Sequence, residues 1–325
     1  MFISIFGAVE SGVIYAIMAL GVYLSFRVLD FPDLTVDGSF VTGSSVAAIS
    51  IVSGVPPVLA TIFALIAGFL AGCITGVLHT KGKINPLLAG ILMMIALYSI
   101  NLRIMGRPTL PMLNEPTIFK QIGEWWQSLG IDQALNGWLT NMGLPQTPST
   151  WSVLFFMIVL LALIKLFIDY FLKTEIGLAL RATGDNQKMI RSFSANTDFL
   201  IIVGLGLSNG LVAMAGGLVA QYGGFSDVNM GTGMIIIGLA SVIIGEALFG
   251  TKTIVRTTLA VLLGAVVYRI VVTIALQVGF LQTGDMKLIT ALLVIAALVV
   301  PKVIKGRKEK LRRQRKRAAL EVKEG

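Results

Sequence analysis

Four charged side chains sit where so apolar a chain should hold none. Glu10 and Arg269 interrupt the apolar runs 1–29 and 257–279, while Asp33 and Asp37 share the stretch Asp30-Phe-Pro-Asp-Leu-Thr-Val-Asp37. A charge at the centre of a membrane helix costs about 2.5 kcal/mol or more, so Arg269 must face protein or water and needs an acceptor. Glu10 and Glu246 are the available carboxylates, and spacing does not choose between them. Two roles are open for Arg269. It lines a pathway and meets a substrate carboxylate, or it forms a buried ion pair that fixes helix packing. The aspartates divide in the same way. They hold a broken helix at a gate beside Gly38, or Asp33 caps the next helix by accepting from its free N–H groups. The two roles can coexist.

Other chemistry is missing. There is one cysteine, Cys73, and one histidine, His79, so the chain can form no internal disulfide and shows no metal-ligand spacing. No nucleophile–base set is visible. Gly245-Glu-Ala-Leu-Phe-Gly-Thr-Lys-Thr253 nearly spells a phosphate loop, but Thr251 separates the glycine from the lysine that must come directly after it. It also ends an apolar run instead of succeeding a strand. Any energy from ATP must therefore come from another subunit.

The totals define the class. Of 325 residues 55% are apolar and only 13% charged, with mean hydropathy +0.85; soluble domains carry about 25% charged residues. Repeated apolar runs of about 20 residues, the length that crosses a bilayer, predict an all-α, polytopic helical bundle. The net charge of +9 is local. From Lys302 onward there are eleven Lys/Arg and three Glu, a balance of +8 that leaves +1 for the rest. A basic segment after the last apolar run marks a cytoplasmic tail, 305–325, attracted to anionic headgroups. Without interleaved aromatics it is no nucleic-acid site.

Taken in order, residues 1–29 form a helix that lacks a basic leader and is expected to be retained. Arg27 at its far end places the amino terminus outside and Arg27 inside. Pro32 breaks the chain before a Gly/Ser-rich helix reaching about Ser53, where Gly38, Gly43, Ser44 and Ser45 permit close backbone approach. Helices at 56–80 and 86–106 flank the basic turn Thr80–Pro86. Residues 107–148 are a polar external segment with one or two interfacial helices, whose Trp125, Trp126 and Trp138 suit a membrane interface or a docking surface. A span at 150–173 leads to 174–198. Further segments at 199–223, 234–249, 257–279 and 286–304 bring the count to about nine, with the carboxyl terminus cytoplasmic. The order helix, glycine-rich break, short helix and two further helices occupies 1–106 and recurs in 199–304 from the opposite side. Such an inverted repeat points to a transporter whose pathway lies between the halves.

Between two apolar spans lies the polar, helix-capable run Thr174–Asp198. Leu178, Ala182, Met189 and Phe193 supply apolar positions, Arg181, Asp185, Lys188 and Arg191 supply charge, and Gly177 and Gly184 are expected to allow turns at either side. A solvated loop helix and a docking element for a soluble partner both fit. Arg181-Ala182, Asp185, Lys188-Met189 and Asn196-Thr197-Asp198 resemble the cytoplasmic coupling segment of ABC importer permeases of the branched-chain amino acid and ribose type. Ser194-Ala195 stand where that family usually has Gly-Ile. Asp33-Leu-Thr-Val with Gly38-Ser39 is similar to the Asp-Leu-Ser-Val-Gly-Ser signature of the ribose type, with Asp37 inserted. Ala240-Ser-Val-Ile-Ile-Gly245 resembles a segment of the branched-chain type. The order and spacing of these motifs cover most of the chain.

The resemblance implies a permease subunit of an ATP-driven importer in a bacterial cell membrane, itself no enzyme and without a cofactor. ATP and magnesium would be bound by two cytoplasmic ATPase subunits. A second permease, identical or a close paralogue, and an external substrate-binding protein complete the assembly. Glu175, Gly177, Arg181, Ala182, Gly184, Asp185, Asn186 and Met189 would couple to the ATPase; Glu10, Asp33, Asp37, Gly38 and Arg269 would line the pathway. The solute is expected to be an amino acid or a related metabolite, with a sugar or nucleoside as the alternative. A secondary, ion-coupled transporter using Glu10, Asp30 and Asp37 is the other class.

Overall fold

The computed structural model describes residues 1–141, 147–193 and 195–277, with isolated positions between 288 and 299. The expected span 286–304 falls almost wholly outside the described residues, and the tail 305–325 and the Trp138 side chain fall outside them entirely. Among the described residues the chain is helical except for one two-stranded ladder. The helices are α1 (Phe2–Tyr23), α2 (Thr35–Val52), α3 (Pro57–Thr80), α4 (Pro86–Met105), α5 (Ile118–Ser128) and α6 (Ile131–Asn141), then α7 (Ser152–Phe171), α8 (Glu175–Ser192), α9 (Thr197–Gly223), α10 (Met234–Phe249) and α11 (Ile254–Leu276). Seven are long and apolar enough to cross a membrane: α1 with the turn after it, α2, α3, α4, α7, α9 and α11. The shorter α10 is apolar too.

The boundaries follow local chemistry. Pro57 and Pro86 open α3 and α4 at the position where a missing N–H costs nothing. The Asn85 side chain accepts from the Leu87 N–H, and Gly106, in the left-handed region at φ 67°, ends α4. At its far end α1 departs from the single helix expected over 1–29. Leu24–Val28 form one π-helical turn, in which the Leu29 N–H donates to the Leu24 carbonyl at 3.0 Å.

The core is a pair of buried helices wrapped by others. From Gly12 to Tyr23 α1 is buried on all sides, and α9 is buried along most of its length. The first packs against α7, α9, α10 and α11; the second packs against α2 and α3. Small residues bring the backbones together. A Cβ on Gly43 would collide with the Ala213 carbonyl, and one on Gly72 with the Leu205 carbonyl. This is how helices associate where lipid removes the hydrophobic drive between them. In contrast α3, α4 and α7 keep wide apolar faces uncovered.

One end of the bundle gathers Arg27, the 81–85 turn, α8 and the start of α11, and is rich in Lys and Arg. At the other end lie two short helices, α5 and α6, within 107–148, where one or two were expected. Gln221 of α9 ties them down, accepting from the Ile118 N–H at 3.1 Å and donating to Thr61 at 2.8 Å. Trp126 stacks on Phe155, while Trp125 points outward. The ladder pairs β1 (Thr109–Pro111) antiparallel with β2 (Phe225–Asp227).

Candidate functional site

Two places combine the expected residues with geometry suited to transport. The first is α8. Thr174 accepts from the Gly177 N–H at 3.3 Å and starts the helix, with Glu175 in its first turn. Gly177, Leu180 and Thr183 lie along one face and are buried against the bundle. Gly177 and Gly184 are helical, not turns. Each is needed because a neighbour is too close for a Cβ, the Phe171 carbonyl at Gly177 and the Val28 carbonyl at Gly184. Ala182 is half-buried beside them. The turn falls instead at Asn186, which leaves helical geometry (φ −157°, ψ 88°) and accepts from the Met189 N–H at 3.1 Å, capping a second short helix. Arg191 fastens that helix to α9, donating to Thr197 and Asp198 at 2.8 Å each.

The outer face of α8 has no cover. Ile176 is 48% exposed, Leu178 50%, Met189 46% and neighbouring Phe193 73%, interleaved with exposed Glu175, Arg181 and Asp185. Four large apolar side chains thus stay uncovered on one polar segment.

The second place is an open cleft between α2, α4 and the turn before α10. Asp37, on α2, accepts from the Gly233 N–H at 3.0 Å and the Ile235 N–H at 2.8 Å, so its carboxylate holds the start of α10. Gly233 at φ 88° lies in the left-handed region that glycine favours. Beside this junction is a cavity of about 450 Å³ whose walls include Asp37, Gly38, Tyr98, Asn101, Asn229 and Thr232. Buried Asn101 donates to the Gly38 carbonyl at 3.3 Å, and its own oxygen has no partner among the described residues. Tyr98 and Asn101 are the residues the sequence did not single out; the one available signal was a lone amide in an otherwise apolar run. Asp33 does cap the start of α2, accepting from the Thr35 N–H at 2.9 Å and also from Asn209 at 2.6 Å. Burial pushes its carboxyl above the ordinary range, opposed by those bonds from Thr35 and Asn209.

Arg269 is where sequence and structure part. Glu246 is taken by Arg27 in a bidentate pair (Nε to Oε1 2.9 Å), and Glu10 accepts from the Tyr222 hydroxyl at 3.1 Å. Arg269 instead lies over the Tyr15 ring, 4.3 Å from its centroid, and Tyr15 stacks on Phe40. Its Nε has no hydrogen-bond partner among the described residues. An aromatic face supplies the negative potential a carboxylate would have supplied. The structure also pairs Lys165 with Asp169, which accepts from Thr258 at 2.6 Å and links α7 to α11. Asp37 and Gly38 thus meet at one cavity, Asp33 is enclosed close by, and Glu10 and Arg269 stand apart on the α1–α11 side. Among the described residues no cluster of His, Cys, Asp and Glu could hold a metal.

Residues 4–300 match the family model described as branched-chain amino acid transport system / permease component. The chain is 41% identical over 294 residues to a tyrosine transport system permease protein of Clostridioides difficile (strain R20291), covering 90% of each chain. It is 35% identical over 209 residues to an uncharacterised protein of Rickettsia prowazekii (strain Madrid E), covering 64% of this chain and 65% of that one. No solved structure matches significantly.

Proposed function

The chain belongs to the family of branched-chain amino acid transport permease components, and on that premise we propose that it is the membrane-spanning subunit of an ATP-driven importer for an amino acid. In this reading the Lys/Arg-rich end faces the cytoplasm, as the positive-inside rule requires, with the amino terminus outside. The seven long helices, the shorter α10 and 286–304 make nine spans of a single permease domain. Residues 1–106 and 199–304 form its inverted halves. The order of elements supports this, since α1, a break and α2 in one half correspond to α9, a break and α10 in the other. The Asp37 bonds to α10 join the two half-turned elements at the pathway.

The partners rest on the same premise. Two cytoplasmic ATPase subunits bind ATP and magnesium and dock on α8; a second permease closes the pathway; an external binding protein lands on 107–148. Glu175, Arg181, Asp185 and Met189 meet the ATPase. Gly177, Ala182 and Gly184 keep α8 seated on the bundle, so a push on α8 reaches the end of α1, and Asn186 sets its bend. Asp37 and Gly38 border the solute path, Asp33 braces it, and Glu10 and Arg269 take part from the α1–α11 side. The tyrosine permease of C. difficile supports an amino-acid cargo with an aromatic side chain.

The observation that carries the proposal is the set of uncovered apolar side chains on α8 and at its end, held on a segment whose inner face is seated on the end of α1 and on α9. A pull-down of the detergent-solubilised protein tests it, with a variant scrambled over 177–198 alongside. The expected result is a soluble ATPase that co-purifies with the natural chain and is lost with the variant. Absence of an ATPase from both, with uptake that tracks a proton or sodium gradient, would overturn the importer reading.

A further inference from the structure

The docking face of α8 does not stop at α8. Next to it a polar cleft of about 460 Å³ opens between the second half of α8 and the turn that joins α3 to α4. Its walls include His79, Lys83, Asn85, Gln187, Arg191 and Asp198. Both walls are fixed before anything binds. In the turn, the Gly82 N–H donates to the Val77 carbonyl at 3.1 Å and the Ile84 N–H to the Leu78 carbonyl at 3.2 Å. His79 Nδ1 lies 2.8 Å from the Ile84 carbonyl, with its ring edge-on to Phe31. Lys83 sits at φ 52°, a left-handed conformation that a side chain-bearing residue rarely adopts. Across the cleft, the bend at Asn186 aims the second helix of α8, and Arg191 is pinned to Thr197 and Asp198.

The charges in this cleft are unbalanced. Asp198 is matched by Arg191. Lys83 is exposed and has no hydrogen-bond or ion-pair partner among the described residues, and Lys81 and Lys188 stand exposed in the same two elements. A preformed cleft with an unmatched cation selects an anionic group. Its far wall is the segment that also carries Met189 and Phe193, so whatever covers those side chains is positioned to reach the cleft.

We propose that this cleft is a second seat for the ATPase subunit, in which Lys83 receives an aspartate or glutamate side chain of that subunit. This rests on the importer reading above and extends it. The permease would grip its ATPase with two separate elements, the 81–85 turn as well as α8, which fixes the orientation of the ATPase as well as its location. An anionic lipid headgroup is the competing occupant of the same cation, and the test separates the two.

The experiment uses the assembled complex of the permease with the ATPase subunit of its own transporter. A zero-length carbodiimide cross-link joins an amine only to a carboxylate in contact with it. Mass spectrometry should find Lys83 linked to an Asp or Glu of the ATPase. Lys83→Arg should keep assembly and lose the link. Lys83→Glu should weaken ATPase binding by roughly tenfold at low salt, the difference shrinking as salt screens it. The proposal is overturned if the complex holds together with no link from Lys83 and Lys83→Glu binds as tightly as the natural chain. It is equally overturned if Lys83→Glu matters only in vesicles containing anionic lipid. If the natural chain holds no ATPase at all, the importer reading itself has failed.

Discussion

Asp37 does more for a distant helix than for its own. Its carboxylate satisfies two N–H groups at the start of α10 that have no other acceptor of that strength. Asp37→Ala should therefore cost about 1–3 kcal/mol through the stranded donors, and Asp37→Asn less, because one acceptor oxygen survives. Thermal unfolding of the purified protein in detergent should rank natural chain, Asn and Ala in that order, with uptake falling in the same order. Equal midpoints for all three would show that the bonds do not hold α10. The sequence made the aspartates conspicuous, since three acids beside a proline in an apolar chain require an explanation. It could not reveal the partner, which lies nearly two hundred residues away and consists of backbone alone. Arg269 failed for a related reason. A search for its partner among charged residues cannot see Tyr15, whose ring carries no formal charge.

At the scale of elements, hydropathy and punctuation were enough to place most helices within a few residues, because Pro57, Pro86 and Gly106 act locally. Packing between elements was not legible. Gly184 was expected to turn the chain, yet it is a helical residue pressed against the Val28 carbonyl. Gly184→Val must displace α8 from the end of α1, an overpacking cost of about 1–3 kcal/mol. Hydrogen exchange over 175–192 should rise and ATPase capture should fall by about tenfold, while the spans keep their protection. Unchanged exchange in α8 would mean that the segment floats free of α1. The bend at Asn186 was invisible for a different reason, since asparagine in a polar run also suits a plain helical surface. The ladder was invisible because two three-residue strands are too short to show a period.

At the scale of the whole molecule, the proposed orientation rests on the placement of Lys and Arg, and it is open to a direct check. In a Cys73→Ser background, Lys81→Cys and Trp125→Cys mark the two ends, Trp125 being 61% exposed. A membrane-impermeant maleimide should label position 125 and not 81 in spheroplasts, and 81 and not 125 in inside-out vesicles. The opposite pattern would invert the assignment of both docking faces. The bundle of long apolar helices was the most legible feature of all, because a bilayer imposes its thickness on any chain that crosses it.

The β1–β2 ladder joins the 107–148 segment to the cleft beside Asp37. Three residue pairs bind Thr109–Pro111 to Phe225–Asp227, and the Val228 N–H continues the clasp to the Pro108 carbonyl at 3.0 Å. The residues immediately after it, through Thr232, form a wall of the cavity beside Asp37. A displacement of the chain between β1 and α5 therefore has a route to that wall through one clasp of hydrogen bonds, without passing through a membrane-spanning helix.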